Sequence, residues 1–188
     1  MKKFILLSAL VPLLYSSCVS TCSHEPLLTP EEARKELAIA KRINDKIHDE
    51  LQTEGFFKIA STSKYEPEPF ICDSYSTILY HHTDVEDIRN VICRVVKEYL
   101  IAYNNNTHIF GLLNDTPITT DNLHISVYFF DNDHDTLPAP YISRVECSNS
   151  QITYYKLNND EVSEPAWTES YDNARSLTSP RAATAEPL

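Results

Sequence analysis

Residues 141–157 read Tyr-Ile-Ser-Arg-Val-Glu-Cys-Ser-Asn-Ser-Gln-Ile-Thr-Tyr-Tyr-Lys-Leu, and the fold class turns on them. Two runs of strand-forming residues, Tyr141 to Cys147 and Gln151 to Leu157, flank Asn149-Ser150. With those two residues as the turn, Val145 faces Tyr154 and Cys147 faces Ile152, so both pairs fall on one side of a hairpin. Arg144 and Tyr155 then become cross-strand neighbours on the opposite, outer side.

Working outward, Leu123, Ile125, Val127 and Phe129 alternate with His124, Ser126, Tyr128 and Phe130, the period of two that marks a half-buried strand. Phe56 to Tyr65 and Phe70 to Tyr80 are rich in aromatic, Ile, Thr and Ser residues and read as two further strands, joined by Glu66-Pro67-Glu68-Pro69. Helical signals stand between them. Thr29-Pro30-Glu31-Glu32 combines an N-cap, a proline at the first helical position and a glutamate that closes a capping box. Ala33, Leu37, Ala40, Ile43, Ile47 and Leu51 follow as one apolar stripe, ending near Gly55. Thr83 with Glu86 opens a second helix striped by Val85, Ile88, Ile92, Val95 and Tyr99, and Asn104-Asn105-Asn106 ends it through the left-handed conformation that Asn tolerates. The expected architecture is α+β: two helices packed on one face of a mostly antiparallel sheet of about five strands, in the order αββαβββ.

At 188 residues the chain is long enough for one domain with its own core. The net charge of -11 opposes nucleic-acid binding, which needs clustered Lys and Arg. Glycine occurs only at positions 55 and 111, so there is no P-loop, dinucleotide fingerprint, nucleophile elbow or kinase loop. No cofactor is expected.

The first 22 residues form a separate unit. Lys2 and Lys3 precede an apolar run, Phe4 to Tyr15, and then small residues, with no acid anywhere. That is the three-part shape of a secretory signal peptide, too short and too interrupted by Pro12 to span a membrane comfortably. Cys18 follows Tyr15-Ser16-Ser17, and Cys22 follows Val19-Ser20-Thr21. These residues resemble bacterial lipoprotein precursors, in which a small-residue box ends in a cysteine that is acylated and becomes the mature N-terminus. The resemblance covers residues 1–22 alone. It implies lipidation at Cys18, with Cys22 as the alternative, and a location in the bacterial cell envelope, lipid-anchored or periplasmic. Tyr15 departs from the aliphatic residue usual at its position.

Loss of residues 1–22 removes two lysines and no acid, leaving -13. Residues 159–188, with six acids, two arginines and no apolar period, read as a disordered acidic tail, so the single domain at 23–158 carries -9. In an oxidising compartment one disulfide among Cys72, Cys93 and Cys147 is expected, the alternative being buried reduced thiols.

Candidate chemistry is sparse. Asp131-Asn132-Asp133-His134-Asp135 imitates the start of a calcium loop, but Thr136 and Ile142 stand where an EF-hand needs Gly and Glu, so a polar inter-strand loop is the better reading and no metal is expected. His81 and His82 are adjacent, which in a strand sends them to opposite faces. His124 lies on the outer face and needs a Cys or Ser beside it before hydrolysis is chemically open to it. Arg144 with Tyr155 is the candidate recognition patch, and Trp167 and Tyr171 are the two large aromatics of the tail. The functional expectation is therefore an exported, lipid-anchored envelope protein whose domain binds a protein or other envelope component, without enzymatic activity. The alternative is a small secreted hydrolase built around His124 and the Asp131 loop.

Overall fold

Thr29 starts the first helix as its sequence requires. Its hydroxyl accepts from the Glu32 N–H, and the Glu32 carboxylate accepts from the Thr29 N–H at 2.9 Å. In the computed structural model, which describes residues 28–64, 70–78, 84–109, 111–113 and 117–178, α1 runs Pro30–Thr53. Ala40, Ile43, Ile47 and Leu51 are buried, whereas Leu37 is exposed. Gly55 ends the helix in the left-handed region, at φ 86°, where a side chain is strained.

The second helix, α2 (Val85–Asn104), starts one residue later than the sequence reading has it. Asp84 caps it by accepting from the Asp87 N–H at 3.0 Å, and Thr83 lies outside the described residues. Its end differs too. Asn105 is right-handed, at φ -86°, and Asn104 instead clamps the following loop, bonding both the N–H and the carbonyl of Ile118 at 2.8 Å.

Among the described residues six strands lie side by side in chain order: β1 (Phe57–Lys64), β2 (Phe70–Ile78), β3 (Leu123–Phe130), β4 (Ile142–Ser148), β5 (Gln151–Leu157) and β6 (Ser163–Ser170). Every pair is antiparallel except β2–β3, which is parallel because α2 forms the crossover between them. The turn of the 141–157 hairpin falls at Asn149 and Ser150, both left-handed, with φ 49° and 58°. That is the twist of a two-residue hairpin turn, and it sets Val145 opposite Tyr154, Cys147 opposite Ile152, and Arg144 opposite Tyr155.

The α+β class therefore holds, while among the described residues the elements are three α-helices and six strands in place of two and five. β6 and a third helix, α3 (Tyr171–Leu177), occupy half of the stretch expected to be a disordered tail. β6 escapes the periodicity test because it is an edge strand, exposed over most of its length, and because Pro165 is tolerated where a strand lacks an outer neighbour. Backbone pairing with β5 holds it, together with Trp167, whose ring stacks on Tyr154 at 4.2 Å. Glu169 completes the attachment, accepting from Arg89 on α2 at 2.8 Å, from Tyr154 at 2.7 Å and from Asn173 on α3 at 2.8 Å.

The helices cover one face of the sheet, and the core lies between: Ile71, Tyr75, Leu123, Ile125, Val127, Phe129, Val145, Ile152 and Tyr154 point toward α1 and α2. The expected disulfide is corrected as well. Cys72, Cys93 and Cys147 are all free thiols. Cys72 is on the outer face of the sheet, while Cys93 and Cys147 are buried in the core on the other side, so a bridge from Cys72 to either is blocked by the sheet itself. Burial pushes the Cys93 thiol up to about 11 and the Cys147 thiol up to about 12. Cys18 and Cys22 lie outside the described residues, as do His81 and His82.

Candidate functional site: the open face of the sheet

Alternation sends every second residue of the central strands away from the helices. In register, these side chains form cross-strand rows: Cys72, His124 and Ser148; Ser74, Ser126, Glu146 and Thr153; Ser76, Tyr128, Arg144 and Tyr155. No helix or strand among the described residues packs over them. Most are half-buried, as expected on a flat sheet where neighbouring side chains shield one another.

Arg144 is the centre of this face. Its guanidinium carbon stands 3.8 Å from the centroid of the Tyr155 ring and 5.6 Å from that of Tyr128. Such contacts hold a cation by the ring quadrupole, worth about 0.5–1 kcal/mol where solvent still reaches. The polar contacts are looser: Nη1 lies 3.5 Å from the Tyr128 hydroxyl, and Nη2 lies 3.9 Å from Glu146 Oε2. Nε is buried and faces no acceptor among the described residues. Burial lowers the affinity of this group for its proton, but the Tyr128 hydroxyl, Glu146 and the Tyr155 ring outweigh it and leave its pKa above the ordinary value.

Glu146 links Arg144 to His124. Its Oε1 is 3.7 Å from His124 Nε2, and the Phe70 ring tilts against the imidazole at 6.4 Å. The nucleophile that a hydrolytic site needs beside His124 is also present, since Cys72 is its cross-strand neighbour. The thiol is not primed, however: burial, then the carboxylates of Asp73 and Glu146, push its pKa up, which disfavours the thiolate.

The Asp131 loop does not join this face. Asp131 Oδ1 accepts from the backbone N–H groups of Asp133 and Asp135, both at 2.9 Å, so the loop is folded on its own first residue. No cluster of three or more His, Cys, Asp and Glu residues suits a metal ion among the described residues.

Tyr128, Glu146 and Cys72 belong to the site although the sequence reading did not assign them there. The signal was their place in the alternation, but only the strand register shows which of them are neighbours.

A second polar constellation lies under the sheet and was missed altogether. Asp73 Oδ2 accepts from the Tyr99 hydroxyl, which is itself 2.5 Å from the Tyr75 hydroxyl. His48 Nε2 lies 3.5 Å from Asp73 Oδ2 and 3.3 Å from the Tyr99 hydroxyl, and Lys58 donates to His48 Nδ1 at 2.9 Å. An ammonium has only protons to give, so Nδ1 is the acceptor and the ring proton sits on Nε2, aimed at Asp73. Burial drives both tyrosine hydroxyls well above their ordinary pKa. Asp73, Tyr75 and Tyr99 are wholly buried and the His48 side chain is 11% exposed, so no substrate reaches them. This network ties α1 and α2 to β1 and β2. Its trace in the sequence was Asp73 between Ile71 and Tyr75, a polar residue on an apolar face.

Protein-family models, curated proteins and solved structures were all compared with the chain, and none matches it. No helix among the described residues is long and apolar enough to cross a membrane.

Proposed function

We propose that the chain is an exported envelope protein, anchored by acylation at Cys18 or, as the alternative, Cys22, and that its domain is a binding module for a protein or other envelope component. The leader-like residues 1–22 support export and anchoring. Two or more acyl chains hold a protein at a bilayer by hydrocarbon burial, whatever its negative charge. The observation that carries the binding reading is Arg144: a guanidinium fixed between two tyrosine rings on an uncovered sheet face, with loose polar contacts and an Nε that faces no acceptor. Rigid aromatics around an arginine are the composition of interface hot spots.

Two experiments test the reading. Metabolic labelling with a clickable palmitate should mark the protein, and the label should vanish in Cys18→Ala or in Cys22→Ala; no label in the unaltered chain eliminates the anchor. A photo-crosslinking residue at Thr153 should capture a partner in the protein's own cells that is not captured from Lys41 on the solvent side of α1, and Arg144→Ala should abolish that capture. Equal capture from both positions removes the open face from consideration.

A second reading, a small secreted hydrolase, has one observation in its favour: Cys72, His124 and Glu146 occupy neighbouring strands on one face. It requires that Cys72 react with iodoacetamide below the ordinary thiol range and that His124→Ala slow the reaction. A rate that rises only at high pH, with or without His124, leaves the binding module alone.

A further inference from the structure

The sheet ends in two edges of different character. β6 is defended: Pro165 has no N–H to offer a newcomer, and the exposed charge in the strand, Glu164, is acidic. β1 has neither proline nor acid, and although a bulge interrupts it between Lys58 and Ala60, Ala60 to Lys64 pairs with β2 in unbroken register. Its charges are Lys58 and Lys64, seven of its eight residues are exposed, and Phe57 and Ile59 are 52% and 54% exposed. Among the described residues β1 pairs with β2 alone, so its outer side presents backbone donors and acceptors that no strand uses.

We infer that β1 is an acceptor edge for an extended, acidic segment of a partner protein, which adds to the sheet as a further strand. Main-chain hydrogen bonds supply affinity in such strand addition, and alternate side chains supply specificity. Charge selects the occupant. The domain at 23–158 carries -9, yet this strand carries two lysines and no acid. Two copies of β1 paired together would line up four ammonium groups with no carboxylate in either strand, whereas an acidic segment brings the opposite charge to each lysine. Lys58 keeps donors free for this, because its bond to His48 uses one of three protons. Phe57 supplies the apolar contact, and it stands in the same cross-strand row as Tyr128, Arg144 and Tyr155, so an added strand extends the open face. The inference goes beyond the reading of that face, since it requires neither Arg144 nor the lipid.

The test uses a fluorescein-labelled, acetylated eight-residue peptide alternating glutamate with valine, and a counterpart alternating lysine with valine. Fluorescence anisotropy should show binding of the acidic peptide alone, and hydrogen exchange should slow at β1 amides. Lys64→Glu should weaken binding at least tenfold, and Arg144→Ala should leave it unchanged. Adjacent backbone N–H groups in a strand point to opposite sides, so of Ser61→Pro and Thr62→Pro one breaks the pairing with β2 and the other blocks the free edge. The variant that keeps the thermal midpoint should lose the peptide. The inference is overturned if the acidic peptide does not bind, if the basic peptide binds equally, if protection appears away from β1, if Arg144→Ala abolishes binding, or if sedimentation shows a dimer that Lys64→Glu disrupts.

Discussion

The two faces of this sheet treat their ionisable groups in opposite ways. Beneath it, Asp73 is wholly buried and accepts a hydrogen bond from the Tyr99 hydroxyl, while His48 sits between Asp73 and Lys58 and little of it reaches solvent. Above it, Glu146 lies 3.7 Å from His124 and 3.9 Å from Arg144, all three half-buried and loosely paired, with capacity left over. The difference separates two uses of polarity. A sealed network fixes the geometry of the elements it joins; an open, loosely paired one retains hydrogen-bonding groups for something outside the chain.

The largest expected effect comes from breaking the sealed side. Asp73→Ala strands the Tyr99 hydroxyl and the His48 ring proton in the core and should cost about 3 kcal/mol, read from the urea midpoint. If the loss is no greater than for an outer-face substitution, the contrast between the faces fails.

Next is the clamp that docks β6 and α3 on the helical side. Burial raises the Glu169 pKa, but the Tyr154 hydroxyl and Arg89 outweigh it, so the net displacement is downward. A depressed carboxylate stabilises the fold fully above its unfolded value, ordinarily about 4.5, and loses that contribution as the pH falls through the folded value. Glu169→Gln should therefore cost about 2 kcal/mol at neutral pH and flatten the acid limb of a stability curve measured by thermal melts.

Arg144→Ala sharpens the comparison from the other side. It should change stability by less than about 1 kcal/mol, because the substitution removes cation–ring contacts and two loose polar ones and also frees a buried Nε that has no acceptor among the described residues, while partner capture from Thr153 disappears. Smallest in energy is the thiol pattern, which requires no substitution. Alkylation followed by mass spectrometry should modify Cys72 in the folded protein and reach Cys93 and Cys147 only in denaturant. Equal labelling of all three would contradict the burial that distinguishes the faces.

Features set by neighbours in the chain are legible in the sequence. The Thr29–Glu32 box needs two side chains three residues apart, and the 141–157 hairpin needs a two-residue turn with consistent faces on either side. The Arg144–Tyr155 pair followed from that register. Signals failed where a partner distant in sequence does the holding. β6 has no apolar alternation, and it is kept in place by β5, by the stacked Tyr154 and Trp167 rings, and by Arg89 eighty residues away. The disulfide expectation rested on compartment and counting, which say nothing about which side of a sheet each thiol occupies.

The sequence by itself determined the α+β class, the first helix and the central hairpin, because each of these depends on residues within a turn or two of one another. Only the tertiary structure decided that β2 and β3 run parallel, that Cys72 stands beside His124, that Asp73 meets Tyr99 and His48, and that no described helix or strand covers the second face of the sheet. Those facts depend on which strands become neighbours after a crossover, and that outcome is set by burial of the whole core rather than by any local pattern.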